Sequence, residues 1–167
     1  MSSRLKTLHP ADTVSKALLL MRKHQIRNLP VVDDSGCFVG LFGIRRLSHL
    51  LLPKAATEFS GHSLSDLSFL PDEEGQMYQR LRKAGDRPVS EFLERKKRLV
   101  FCTPNTTYPD LLKLLNRSAD SSLPVIVVEG KAQKVVGMVS FWDILERITR
   151  EVFTKTETPN SHSQKVR

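Results

Sequence analysis

The chain has 167 residues, 40% of them apolar and 26% charged, with a formal net charge of +8, enough apolar content to bury a core in one domain or in two small ones packed together. No apolar run approaches the ~20 residues that span a bilayer, and the N-terminal MSSRLKTLHPAD lacks the apolar stretch of a signal peptide, so a cytoplasmic location without membrane insertion is expected. Residues 1–55 carry nine Lys/Arg against three Asp/Glu while 56–98 and 99–153 balance, and an excess without interleaved aromatics predicts a solvated positive face rather than a nucleic-acid site.

The first element is a short extended piece around Thr7 and Leu8, halted by Pro10. Asp12 or Thr13 then caps a helix whose stripe is Val14, Ala17, Leu18 and Met21, the i, i+3, i+4, i+7 spacing of one buried face. After Asn28, LPVVD reads as a strand, Asp34-Ser35-Gly36 as a turn and FVGLF as the returning strand, followed by a helix from about Arg45 to Leu52.

Gly61, Pro71, Gly75, Gly85 and Pro88 punctuate what comes next, which marks a connector. Within it EEGQMYQRLRKAG suits a short helix stopped by Gly85, and PVSEFLERKKRL suits another short helix, its basic run Arg95 to Arg98 being a solvated helix end. Beyond the connector Thr107 and Asp110 form a T-x-x-D capping box for a helix with the stripe Tyr108, Leu111, Leu112 and Leu115. LPVIVVEGKAQKVVGMVSFWD, from Leu123 to Asp143, then reads as a hairpin feeding a helix that runs from about Phe141 past Ile148. The polar tail from 154 to 167 is expected to be disordered.

The chain therefore contains an internal repeat. TLHPADT returns as FCTPNTT and LPVV as LPVI, both 94 residues later, with three extra residues in the second hairpin turn. Two copies make a duplicated domain of strand, helix, strand, strand, helix, since solenoids need three or more. Expected boundaries are 1–58 for the first copy, 59–94 for a helical connector, 95–153 for the second copy and 154–167 for the tail. Cys37 and Cys102 are too far apart for a CxxC pair and lie in or beside strands, so both are read as reduced core thiols.

Chemistry concentrates at the end of the second hairpin. Ser140 and Asp143 fall at a strand-to-helix junction, where a hydroxyl and a carboxylate stand beside unpaired backbone N–H groups and a positive helix end. Such a junction suits a ribose and a phosphate. No GxxxxGK[ST], HExxH, GxSxG or strand-linked GxGxxG is present, and no two of the five histidines stand at i, i+4, so no enzyme is expected. Trp142 and Phe141 open an amphipathic helix and are expected to pack an interface rather than stack a base.

A proline-initiated helix, then hPVVD, a glycine turn and G-h-h-S/T-x-x-D, all in order and twice over, resembles the CBS domain, named after cystathionine β-synthase. Two in tandem resemble a Bateman module, and the likeness covers roughly residues 5 to 150. It implies an α+β fold of two βαββα units packed with pseudo-two-fold symmetry and paired again as a homodimer. It also implies an adenosine ligand such as AMP, ADP, ATP or S-adenosylmethionine, with or without magnesium, and no catalytic cofactor.

The resemblance assigns Ser140 of GMVSFWD to the phosphate side and Asp143 to the ribose hydroxyls. Phe101, Cys102, Val125 and Ile126 complete that second-copy site, Phe101 standing where the family often has Thr, and Val125 and Ile126 as walls of an adenine slot, although ordinary strand core is the preferred reading of these two. In the first copy the match is GLFGIRR, so Gly43 replaces the hydroxyl residue and Arg46 the carboxylate. A guanidinium only donates, so Arg46 cannot accept from a ribose; Thr7 with Arg45 or Arg46 makes a degenerate site that meets phosphate instead. Three functions follow: a ligand-sensing regulatory module acting on an unknown partner in trans, a structural or dimerisation module with a decayed pocket, or a polyanion-binding protein.

Overall fold

A computed structural model describes residues 5–51, 74–94, 96–119 and 123–153. The expected tail, the connector punctuation at Gly61 and Pro71, and Arg95 lie outside the described residues.

Thr13 rather than Asp12 caps helix α1 (Val14–His24): its hydroxyl accepts the Lys16 N–H at 3.2 Å, and Gln25 ends the helix in the left-handed conformation, φ 54°. Val14, Ala17 and Met21 are buried, with Leu18 partly so, as the stripe predicts. Strands β1 (Asn28–Val32) and β2 (Phe38–Gly43) pair antiparallel. Asp33 shapes their turn, its carboxylate accepting the N–H groups of Ser35 and Cys37 at 2.9 Å each. Leu8 joins β1 only as a single parallel bridge to Val31, and helix α2 (Ile44–Leu51) follows β2 without a loop.

The second copy repeats this order. It comprises β3 (Val100–Cys102), α4 (Tyr108–Ala119), β4 (Val125–Glu129), β5 (Lys134–Val139) and α5 (Phe141–Phe153), with helix α3 (Glu74–Gly85) in the connector. Its sheet runs β3-β4-β5, the first pair parallel and the second antiparallel. Two βαββα units thus make up the α+β fold.

Strand alternation divides the core. Along β4, Val125 and Val127 turn to their own helices with Cys102, Leu115 and Ile144, while Ile126 and Val128 turn to the first copy. Leu41 of β2 meets them there with Leu99 and Leu123, and Phe38 sets its ring edge-on against Phe101 at 5.3 Å and 79°. The longer second turn also reaches across: Phe38 N–H donates to Gln133 O and Val135 N–H to Gly36 O, each at 3.2 Å, with Cys37 bridged to Lys134. Cys37 is accordingly half-buried at a seam rather than in a core, and Cys102 is buried; both are free thiols.

Two expectations are corrected. The described residues of 88–99 do not form one helix; they form two 3-10 turns, Val89–Phe92 and Lys96–Arg98, with Pro88 and Leu93 extended. The backbone is claimed instead by the first copy: Arg87 O accepts from Val14 N–H, and the N–H groups of Val89, Ser90 and Glu94 donate to Asp12, Pro10 and Leu41. Ala84, Val89 and Phe92 are buried in the first copy's core. The α4 stripe is also shifted, because Leu111, Leu114 and Leu115 face inward while Tyr108 and Leu112 are exposed. In the first copy the connector covers the helix start at Val14; at Tyr108 the Arg147 guanidinium does so, 4.7 Å from the ring.

If the connector is core, Phe92→Ala lowers stability by about 3 kcal/mol, whereas Leu112→Ala changes it by no more than about 0.5 kcal/mol. Urea unfolding of both variants checks this, and the reverse order contradicts it.

Candidate functional site

The β5–α5 junction turns on one residue. Val139 ends the strand and Phe141 begins the helix, leaving Ser140 as the hinge. Its N–H donates to Asp143 Oδ2 at 2.7 Å and its hydroxyl donates to the same oxygen at 2.5 Å. A carboxylate three residues into a helix that takes the cap's N–H is half of a capping box, and it also favours the positive helix end. Among the described residues none donates to the other oxygen, Oδ1, and the Asp143 side chain is exposed. The site therefore offers one open acceptor, one hydroxyl able to turn, and a helix start.

Cross-strand register places the neighbouring candidates in two rows. Val100, Val125 and Val139 stand abreast beside Ser140, and Phe101, Ile126 and Met138 form the next row. Val125 and Ile126 have no exposed surface, one facing α4 and α5 and the other the inter-copy seam. Phe101 is half-buried against Phe38. Cys102 is buried; burial pushes its thiol up, a hydrogen bond with Thr106 offsets part of this, and the thiol stays protonated. Ser140 and Asp143 are thus the two polar side chains that the fold brings together directly.

The corresponding β2–α2 junction is built differently. Gly43 pairs with Asn28 across the hairpin, and a Cβ at Gly43 would run into Asn28 Oδ1, so the asparagine carboxamide fills the space of a side chain there. Ile44 N–H donates to Arg27 O at 3.0 Å, a backbone group doing the capping. Arg45 and Arg46 are half-buried and Thr7 is exposed. Sequence reasoning passed over Asn28, although a polar residue opening a buried strand opposite a glycine is a signal. It also passed over Glu94, which is only 5% exposed.

With this geometry in place, the family can be read. The CBS domain family matches residues 1–53 and 89–150, once over each copy. The chain belongs to the CBS domain family. CBSX2, a chloroplastic CBS domain-containing protein of Arabidopsis thaliana, is 24% identical over 163 residues, covering 94% of this chain and 63% of its own. Homoserine O-acetyltransferase of Methanohalophilus mahii aligns over 51 residues at 39% identity, 30% of this chain and 11% of its own. The chain therefore spans less than two thirds of either curated relative.

Solved CBS pairs share the fold. CBSX2 in complex with AMP superposes with a TM-score of 0.60 at 17% identity, over 89% of this chain and 90% of that one. The CBS domain pair of protein MJ0100, in complex with 5'-methylthioadenosine and S-adenosyl-L-methionine, gives 0.59 at 18%, over 90% and 93%. Among the described residues of this CBS pair, no helix is long and apolar enough to cross a membrane, and no group of three or more His, Cys, Asp or Glu is placed to hold a metal ion.

Proposed function

We propose that this CBS pair is a regulatory module rather than a catalyst, and that it binds an adenosine-containing ligand at the Ser140–Asp143 junction. AMP, ADP, ATP and S-adenosylmethionine are the candidate ligands, and binding is passed to a partner protein in trans. The observation that carries this reading is the carboxylate of Asp143, which holds the helix start with one oxygen and leaves the other to accept. Ribose hydroxyls donate to Oδ1; the Ser140 hydroxyl then turns from Asp143 to a phosphate at the α5 N-terminus. Phe101 offers a ring edge near the base, and buried Val125, Ile126 and Cys102 serve as strand core beside it. Magnesium enters only as a companion of the phosphates. The AMP and S-adenosylmethionine carried by CBSX2 and MJ0100 support the choice of ligand class.

Regulation requires that the ligand prefer one of two arrangements of the tandem. Loss of the Asp143 carboxylate removes charge-assisted hydrogen bonds, so Asp143→Ala weakens AMP binding about ten- to 150-fold. Its capping role adds a stability loss of about 1 kcal/mol. Calorimetry and thermal melting on the same variant test both effects; unchanged affinity with lowered melting contradicts the ligand role.

We also propose a homodimer through α5, the feature that a structural or dimerisation reading would rest on. Phe141, Leu145, Ile148 and Val152 make one exposed stripe at i, i+4, i+7 and i+11, beside a shallow groove lined by Trp142, Leu145, Thr149 and Phe153. Trp142 is 71% exposed, and Ile144 alone on this helix is buried. A stripe this long is what an isologous pairing buries. Light scattering is expected to give twice the 18.9 kDa chain mass, falling to one chain in Ile148→Asp; a wild-type monomer at every accessible concentration contradicts the proposal.

A further inference from the structure

The connector has a seat on the first copy, and the duplication repeats that seat on the second copy, where no described residue fills it. On the first copy Arg87 O accepts from Val14 N–H at 3.0 Å, while the N–H groups of Val89, Ser90 and Glu94 donate to Asp12 O, Pro10 O and Leu41 O at 2.8, 3.2 and 2.8 Å. Val89, Phe92 and Leu93 cluster there with Val14, Leu18 and Val39. Leu93 enters over Gly40, where an added Cβ would stand only 2.5 Å from its Cδ1. Each of these positions has a counterpart. Helices α1 and α4 both begin one residue after a capping threonine, so Tyr108 N–H matches Val14 N–H, and Pro104 O and Thr106 O match Pro10 O and Asp12 O. Met138 stands opposite Ile126 as Leu41 stands opposite Pro30, and Gly137 opposite Val127 as Gly40 stands opposite Val31. Among the described residues nothing pairs with Tyr108 N–H, Pro104 O or Thr106 O, and no strand lies on the outer edge of β5. The apolar floor is bare as well: Tyr108, Leu112 and Val136, the counterparts of Val14, Leu18 and Val39, are 44%, 41% and 45% exposed. A Cβ at Gly137 would meet only Val127, its own cross-strand partner, at 3.7 Å, so the room that Leu93 takes over Gly40 is open here.

We propose that this seat, made by the β3–α4 loop, the start of α4 and the outer edge of β5, docks an extended segment of a partner protein patterned like the connector's own Val89-x-x-Phe92-Leu93. The segment's amides donate to Pro104 O, Thr106 O and Met138 O, and one of its carbonyls accepts from Tyr108 N–H. Two apolar side chains cover Tyr108, Leu112 and Val136, and a leucine enters the notch at Gly137. Main-chain bonds to an unpaired edge give such docking its affinity, and the spaced apolar seats give it specificity. The Arg147 guanidinium, 4.7 Å from the Tyr108 ring, puts a cation where the segment enters and favours an acidic flank, the place that Asp86 holds in the connector. The proposal rests on the reading that the module acts on a protein partner; it does not require that an adenosine ligand binds.

The probe is a fluorescein-labelled peptide of residues 86–94, DRPVSEFLE, titrated by anisotropy into the full chain. Saturable binding of one peptide per chain is expected. It weakens about tenfold or more in Gly137→Ala, whose methyl group closes the notch, in Leu112→Glu, and with a peptide carrying Phe92→Ser and Leu93→Ser. The first-copy seat is closed to the peptide by its own tethered connector, present at an effective concentration of about millimolar or more. Both protein variants are expected to melt as wild type does. Absence of saturable binding below about 1 mM overturns the proposal, as does binding indifferent to Gly137→Ala and Leu112→Glu. Lowered melting of both variants would mean that another segment of the same chain fills the seat, and a mass that falls by half in both would mean that a second copy does; either result overturns the assignment to a partner. Peptide binding by a chain that binds no AMP supports the proposal and contradicts only the adenosine reading.

Discussion

Leu41 keeps no exposed surface, and the buried residues clustered with it, Leu99, Leu123, Ile126 and Val128, all come from the other copy. Each sheet has one face for its own helices and one that only the second sheet can cover, so neither unit completes a core alone. The edge-on pair of Phe38 and Phe101 fixes the relative placement of the strands, and the backbone bonds from Gly36 and Phe38 to the longer second turn hold the far end. The three extra residues of that turn, inexpensive at a surface loop, supply the reach. Anything that shifts one sheet against the other must work against this seam.

On this nearly symmetric frame the two junctions carry opposite chemistry. At β5–α5 a serine and an aspartate satisfy each other and keep acceptor capacity in reserve, a combination that holds the helix start. At β2–α2 capping has passed to the Arg27 carbonyl, Gly43 makes room for Asn28, and Arg46 stands in the place of the carboxylate. The duplication preserved the backbone that presents the groups while the groups themselves diverged.

The frame was legible because a duplicated sequence states its pattern twice. The shared 94-residue offset, the recurrence of the apolar run LPVV as LPVI, and the Val14–Ala17–Met21 stripe all reflect local spacing that burial then uses. What escaped depends on partners far away in sequence. PVSEFLERKKRL has helical composition, yet its amides bond to Pro10, Asp12 and Leu41, and these tertiary bonds outcompete a helical ladder. Tyr108 and Leu112 fit a helical stripe by spacing, but the surface that covers a helix is not encoded in the helix. Glu94 carries no signal in its own stretch of sequence; only its place against β2 makes it buried. Ser140 and Asp143 were readable because a cap and its N3 acid are neighbours in the chain.

The central claim is our proposal that AMP binds at the Ser140–Asp143 junction, where a carboxylate stands in the place that Arg46 takes in the first copy. Titration calorimetry of the wild-type chain with AMP tests it most directly through stoichiometry. One tight site per chain, with any second site clearly weaker, is the predicted isotherm; two equal tight sites would contradict the account.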